Sequence, residues 1–265
     1  MARFVVALSL SLFAASLALA QNPPASDPQA LTFAAQSIAA MTGGATISDV
    51  TLAGNAVRIA GSDSDKEVGT VTLMGRGTGE SRVDMDFKSS MRSDIRNDNS
   101  GDFPQGASVL NGGKPQPWPL HNCLTSPSWF FPALSPLVNR SDQTLTLSYV
   151  GQETKQGHSV QHLRTSRYVL RKPRIQAITQ QLSITDYYLD SQTFLPLAMI
   201  FNFHPDDDAG TNIMLEIDFS NYQNINGIQV PIYIQKLISG GLAMDISISS
   251  AVFNTGLPDY LFTVQ

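Results

Sequence analysis

The regular alternation of apolar and polar residues is the feature of this sequence that most constrains its fold. It begins near Ile47 and, after an irregular stretch at 97–128, continues almost to the end of the chain. Alternation predicts strands with one face on an apolar layer and the other facing water, so the chain is predicted to be mainly β. The apolar residues of the clearest runs are Val71 and Leu73; Val83, Met85 and Phe87; Leu145, Leu147 and Tyr149; Ile213, Leu215, Ile217 and Phe219; Ile228, Val230, Ile232 and Ile234; Met244, Ile246 and Ile248.

Short turn sequences separate these runs. Asn226-Gly227 and Gly240-Gly241 are turn pairs, and 206–210 is a longer acidic connection. Residues 75–79 read Gly-Arg-Gly-Thr-Gly, which would form a phosphate-binding loop only if a helix followed. A strand-like run follows instead, so we predict a hairpin turn there. Short hairpins place consecutive strands side by side and antiparallel.

One run does not alternate, because residues 194–203 are apolar on both faces. This pattern is typical of a strand that is covered on both sides. Two segments can provide the cover. The first is a helix that begins at Asp27 and Pro28 and ends at Gly43-Gly44. The second is the proline-broken apolar cluster 127–137, which we expect to form one or two short helices lying on the sheet.

The N-terminus has the three parts of a secretory signal peptide. Arg3 supplies positive charge, residues 4–17 carry no charge, and Ala18-Leu19-Ala20 supplies small residues for cleavage. The apolar run is shorter than the roughly 20 residues of a membrane-spanning helix. We therefore expect a signal peptide at 1–20, a flexible lead-in at 21–26, one domain at 27–265, and no transmembrane segment. The mature chain is expected to be periplasmic or secreted.

Charge and cysteine content narrow the possible partners. The net charge is −5, and it becomes −6 when Arg3 leaves with the signal peptide, which argues against nucleic acid as a partner. Cys123 is the one cysteine in the sequence, so an internal disulfide cannot form and a large core must stabilise the domain. We expect Cys123 to be a small buried residue. A reactive thiol or a link to another chain is the alternative.

The sequence lacks arrangements typical of enzymes and metal sites. On a strand, His158 and His162 lie about 13 Å apart, whereas zinc ligands converge within about 2.1 Å of the ion. We therefore interpret them as surface histidines on a hairpin. The acidic turn 206–208 lacks the spacing of a calcium loop, and Gly-x-Ser-x-Gly and Ser-x-x-Lys motifs are missing. The expectation is a non-catalytic protein without metal or cofactor.

Three segments near the C-terminus carry a resemblance. Residues 188–196 read Tyr-Leu-Asp-Ser-Gln-Thr-Phe-Leu-Pro, residues 219–231 read Phe-Ser-Asn-Tyr-Gln-Asn-Ile-Asn-Gly-Ile-Gln-Val-Pro, and residues 252–262 read Val-Phe-Asn-Thr-Gly-Leu-Pro-Asp-Tyr-Leu-Phe. Their order resembles the outer-membrane lipoprotein carrier superfamily, the periplasmic lipoprotein-sorting fold. The resemblance implies a strongly curved antiparallel half-barrel with helices packed on its concave face. It also implies binding of lipids or acyl chains, or a role as a periplasmic sensor.

The function expected on this basis is a carrier or receptor that binds an apolar ligand without catalysis. The ligand would be a lipid, another apolar small molecule or the acyl chain of an acylated protein, held between the sheet, the first helix and the cluster 127–137. The alternative is a protein-interaction or sensor module whose concave face is filled by its own side chains. The candidate cavity residues are Phe33, Ile38, Met41, Trp129, Phe130, Phe131, Leu134, Leu137, Met199 and Phe201.

A cluster of basic residues between 164 and 174 is a second candidate surface. It can lie under anionic lipid headgroups. Alternatively, its charge keeps an edge hairpin from pairing with other chains. Its members are Arg164, Arg167, Arg171, Lys172 and Arg174.

Overall fold

The computed structural model describes residues 24–59, 65–98, 103–139, 142, 144–169 and 173–264. The predicted signal peptide at 1–20, the start of the lead-in, residues 99–102, and Arg171 and Lys172 lie outside the described residues. Among the described residues, no helix combines the length and the apolar character needed to cross a membrane.

The described residues contain thirteen strands and two α-helices. The helices are α1 (Pro28–Thr42) and α2 (Pro173–Leu182). The strands are β1 (Asp49–Ile59), β2 (Lys66–Arg76), β3 (Glu80–Phe87), β4 (Ser90–Asn97), β5 (Gln105–Leu110), β6 (Gln116–Pro117), β7 (Leu145–Lys155), β8 (His158–Arg167), β9 (Thr185–Asp190), β10 (Pro196–Phe203), β11 (Ile213–Ile225), β12 (Ile228–Ile238) and β13 (Gly241–Phe253).

All thirteen strands belong to one antiparallel sheet in the order β6-β5-β4-β3-β2-β1-β13-β12-β11-β10-β9-β8-β7. Apart from β6 and β7, consecutive strands are neighbours, as the short turns predict, and the turn at Gly77 joins β2 to β3. The first and last strands pair at the middle of the sheet, where Val50 lies opposite Phe253. The segment between β6 and β7 therefore connects the two edges of the sheet.

The sheet is strongly curved, and its two flanks approach each other. Asp98 directly follows β4, and its carboxylate lies 3.2 Å from the guanidinium of Arg167 on β8. These strands are nine positions apart in the sheet order, which would separate them by roughly 43 Å in a flat sheet with strands about 4.8 Å apart. The ion pair is possible only because the sheet curls. The predicted class, a curved antiparallel half-barrel with helices on its concave face, is confirmed.

Helix α1 begins and ends where the sequence predicts. The Asp27 carboxylate accepts hydrogen bonds from the backbone N–H groups of Gln29, at 2.7 Å, and Ala30, at 3.4 Å. Gly43 ends the helix with a φ of 59°, a conformation that glycine adopts without strain. The helix contacts β7, β8 and β12, and Ala30, Ala34 and Met41 are buried against them.

The cluster 127–137 forms two short 3-10 helices, Pro132–Leu134 and Pro136–Val138. Each begins with a proline, because proline lacks an N–H but fits the first position of a helix. Phe130, Phe131 and Leu137 are fully buried in the core. The expectation of short helices lying on the sheet is confirmed.

The strand β10 is covered on both faces where the sequence predicts it. Ala198 and Met199 are neighbours in the chain, so their side chains point to opposite faces of the sheet, and both are fully buried. The helix α2 that follows β8 was not predicted. Arg167 ends β8, whereas Arg174 lies in α2. The interpretation of the basic segment as an edge hairpin was therefore wrong for Arg174.

The segment after β13 packs against the outer face of the sheet. Arg76 on β2 contacts the Asp259 carboxylate at 2.7 Å and lies over the ring of Phe262, which is fully buried. The short helix Asp259–Phe262 contacts β3 and β4. This cover explains why Ile95 of β4 is buried although its neighbours Asp94 and Arg96 face the interior.

Candidate functional site

The concave side holds a cavity of about 440 Å³ that is partly open to solvent. The inner faces of β3, β4 and β5 form one side, and those of β10 to β13 form the other. The connection between β6 and β7, from Trp118 to Trp129, lies between them and separates the cavity from the filled core. The volume lies within the range of about 300–1,000 Å³ that is usual for small-molecule sites.

Each side of the cavity has an apolar part, because it continues the alternating inner rows of the strands. These rows contribute Val83 and Met85 of β3, Phe201 of β10, Leu215 of β11 and Met244 of β13. The same rows supply the hydrophobic core further along each strand, where Ile217, Phe219, Ile246 and Ile248 are buried.

The side formed by β4 and β5 is polar. Arg92, Asp94 and Arg96 are alternate residues of β4, and all three line the cavity. The Asp94 carboxylate accepts hydrogen bonds from the guanidinium of Arg92 and the hydroxyl of Ser108, each at 2.7 Å. The Trp118 indole N–H in turn donates to the Ser108 oxygen at 2.8 Å. These four groups therefore satisfy one another, and the charges of Arg92 and Asp94 compensate each other.

Trp118 lies directly over β5. A side chain on Gly106 would bring a Cβ within 2.5 Å of the indole Cε3 atom, so the indole can take this position only over a glycine.

Arg96 is buried without an ion-pair partner among the described residues. Its side chain donates to the backbone carbonyl oxygens of Cys123 and Thr125, the latter at 2.8 Å. Its Nε lies buried without a hydrogen-bond partner in the described part of the chain. Burial lowers the pKa of the Arg96 guanidinium to about 10, against the opposite effect of nearby anionic groups. The site thus contains a buried positive charge whose hydrogen-bond acceptors are backbone carbonyl oxygens.

Lys236 supplies a second cation on the opposite side. It continues the inner row Ile228, Val230, Ile232 and Ile234 of β12, at a position where alternation predicts another apolar residue. Its Nζ lies 5.2 Å from the centre of the Trp129 ring, which suits a cation–π contact. Burial lowers the pKa of the Lys236 amine, although the charge of Asp94 raises it.

The structure separates the ten residues predicted from the sequence. Trp129 and Phe201 line the cavity. The partly buried side chains of Phe33 and Ile38 pack against the core, and the Phe33 ring lies 5.2 Å from that of Tyr149. The others are buried in the core itself: Met41, Phe130, Phe131, Leu134, Leu137 and Met199. The cavity therefore lies against the connection 118–129, and no residue of α1 lines it.

Sequence reasoning missed the polar half of the site. Lys236 had a detectable signal, because it interrupts an otherwise apolar inner row. Arg96 had none, since β4 lacks apolar alternation on its inner face and its role depends on the curvature of the whole sheet.

His158, His162 and Arg164 do not line the cavity. His158 and His162 are both on β8, as predicted, but the interpretation of His162 as a surface residue was wrong. It is buried, its ring stacks on Tyr188 at 4.4 Å, and its Nε2 lies 2.9 Å from the Asp186 carboxylate. The guanidinium of Arg164 binds the same carboxylate at 2.7 and 3.0 Å. Among the described residues, no cluster of three potential metal ligands occurs.

Comparisons with known proteins agree with this architecture. No protein-family model matches the sequence, and no curated protein is significantly similar to it. The fold is similar to that of an outer membrane lipoprotein-sorting protein domain from Vibrio parahaemolyticus (14% identity, 88% of this chain and 95% of that chain, TM-score 0.55). It is also similar to a LolA superfamily protein from Nitrosomonas europaea (14%, 88% and 97%, 0.56). A DUF1329 family protein from Desulfovibrio piger is a third match (12%, 91% and 100%, 0.56). The chain therefore has a lipoprotein carrier-like fold.

Proposed function

We propose that this protein is an exported carrier or receptor that binds a lipid or the acyl chain of a lipoprotein, without catalysis. The observation that carries the proposal is the cavity of about 440 Å³ with an apolar wall on the concave side of the sheet. The fold supports it, since the similar proteins from Vibrio parahaemolyticus and Nitrosomonas europaea are described as a lipoprotein-sorting domain and a LolA superfamily protein.

Binding would be driven by burial of the ligand's apolar surface. Each Å² removed from water contributes about 25 cal/mol before the costs of association. Much of the cavity wall belongs to hydrogen-bonded strands, which are already ordered before a ligand binds, so the ordering cost of that part of the site is small. The apolar side chains Val83, Leu215 and Met244 would contact the chain of the ligand.

The second candidate function is an interaction or sensor module with a self-filled interior. The observation in its favour is that Phe130, Phe131 and Leu137 fill much of the concave face. In this case the cavity would hold only water, and the partner would bind the outer surface.

Titration of oleic acid, monitored by tryptophan fluorescence, separates the two functions. Trp118 and Trp129 are the two tryptophans of the sequence, and both line the cavity. We expect saturable binding with a shift in emission, and a co-purifying lipid in native mass spectrometry. If the emission is unchanged and no lipid is bound, the interaction module replaces the carrier.

Export is tested separately from binding. If residues 1–20 are a signal peptide, the secreted protein begins at Gln21. N-terminal sequencing that finds Met1 in a membrane fraction would contradict the proposed periplasmic or secreted location.

A further inference from the structure

We infer that the ligand is an amphiphile with an anionic head group, a carboxylate or a phosphate, and that Arg96 and Lys236 bind this group. The inference rests on the proposed function and specifies its substrate class.

The walls of the cavity differ in polarity. The inner faces of β10, β11 and β13 are apolar, whereas the inner row of β4 consists of Arg92, Asp94 and Arg96. A purely apolar ligand would remove water from this charged wall without offering it any polar contact, which is unfavourable. A ligand with one polar end and one apolar chain matches both walls.

The charge that the cavity lacks is negative. Arg92 and Asp94 neutralise each other at 2.7 Å. Asp206 also lines the cavity, but its side chain is exposed in the connection between β10 and β11. Arg96 and Lys236 remain. The carboxylates that act on them electrostatically are Asp98 and Asp94, and these form ion pairs with Arg167 and Arg92 instead. The missing partner is therefore an anion.

The burial of the Arg96 charge costs free energy. Arg96 is only 7% exposed, and its Nε has no hydrogen-bond partner in the described part of the chain. Buried cations are normally paired, because loss of hydration is otherwise uncompensated. Burial lowers the pKa of both Arg96 and Lys236, which is the same cost expressed in protonation. An anionic head group beside them would add charge compensation for both cations.

The test compares three ligands with the same oleoyl chain: oleic acid, oleoyl-lysophosphatidylglycerol and neutral monooleoylglycerol. Dissociation constants are measured by tryptophan fluorescence for the full chain after export. We expect the wild type to bind at least one of the two anionic ligands about tenfold more tightly than monooleoylglycerol. The anionic ligand that binds more tightly identifies the head group as carboxylate or phosphate.

Lys236→Met removes one cation while keeping the length of the side chain. We expect it to abolish most of the preference for the anionic ligand and to leave monooleoylglycerol binding unchanged. Arg96→Met should act in the same direction, but Arg96 also binds two backbone carbonyls, so its folding is checked by circular dichroism. Lys88→Gln is the control, because Lys88 is exposed in the hairpin between β3 and β4 and does not line the cavity.

Two results would overturn the inference. If all three ligands bind equally to the wild type, or if Lys236→Met weakens charged and neutral ligands alike, the head group does not contact these cations although the carrier function stands. If none of the three binds, the carrier function fails together with the inference.

Discussion

The interior of the half-barrel has a filled part and an open part, and the same strands line both. In the filled part, α1 and the cluster 127–137 cover the sheet, and Phe131, Leu137 and Met41 are almost fully buried. In the open part the sheet curves round a cavity whose lining includes Arg96 and Lys236. The difference shows that curvature alone does not leave a cavity. The residues on the inner rows decide whether the concave face becomes core or cavity.

Strand β12 shows this difference within one element. Ile228, Val230 and Ile234 face inward and are buried in the core. Two residues further along the same row, Lys236 faces the cavity. A charged side chain cannot join a dry core without a partner, so the row changes from packing to lining at this position.

Phe131→Ala should have the largest effect, because it opens a hole in the filled part. Phe131 is fully buried, with its ring centre 6.0 Å from that of Phe253. We expect the free energy of unfolding to fall by about 3–5 kcal/mol, measured by urea denaturation. The protein that remains folded should bind oleic acid as the wild type does.

Phe131→Leu is the control, since it keeps most of the apolar volume and should cost less. A loss for Phe131→Ala below about 1 kcal/mol would mean that this region is loosely packed, and the division into filled and open parts would then be wrong.

Trp129→Ala tests the boundary between the two parts. The indole is partly exposed and faces the cavity, so its removal should cost less stability, about 1–2 kcal/mol. It should weaken binding of every oleoyl ligand by about tenfold, because part of the apolar wall is lost. Both effects are measured on one sample, by urea denaturation and by fluorescence of Trp118.

The matched control is Phe33→Ala, an aromatic side chain that is also partly buried but packs between Tyr149 and Phe194. It should lower stability without changing affinity. Equal losses of affinity in the two variants would indicate that the cavity has no specific boundary at Trp129.

Local signals in the sequence were sufficient for α1 and the strands of the filled part, but not for its packing, since six of the ten candidate cavity residues are buried in the core. Asp27 and Gly43 mark the ends of α1, and the inner row of β12 is visible as alternation. The open part depends on long-range geometry. The apolar Ile95 of β4 faces outward under the C-terminal segment, and the charged Arg96 faces inward, so the strand gives no amphipathic signal. That β4 lies opposite β10 to β12 follows from the curvature, which no local pattern records.

Asp218→Asn tests the outer face of β11. The inner face of the same strand lines both the filled part and the open part of the interior. Burial, together with the negative charge of Glu216, raises the pKa of Asp218 to about 7. Because this pKa is above the unfolded value of 3.8, the group contributes stability that is complete below about pH 4 and is lost as the pH rises to about 7. After allowance for solvent screening, we expect the variant to gain about 1 kcal/mol at pH 8 and nothing at pH 4.

Thermal unfolding at a series of pH values measures this gain. Asp207→Asn, which removes an exposed carboxylate in the connection between β10 and β11, is the control and should leave the pH profile unchanged. Because Asp218 does not line the cavity, binding of oleic acid should be unaffected. A gain that is the same at all pH values would show that Asp218 is not protonated in the folded state.

The smallest effect is expected from reductant. Cys123 is a buried free thiol beside the carbonyl groups that Arg96 binds, at the polar edge of the open part. Burial raises the pKa of the thiol, although the charge of Arg96 lowers it, so little of the reactive thiolate forms at neutral pH. We therefore expect the monomer to melt at the same temperature with and without dithiothreitol. A clear drop in melting temperature on reduction would mean that Cys123 links two chains.

We also expect iodoacetamide to label the Cys123 thiol of the folded protein far more slowly than that of the unfolded chain. If the thiol of the folded protein were labelled as fast as in urea, the connection 118–129 would open readily. The boundary between the filled and open parts would then not be fixed in the folded protein.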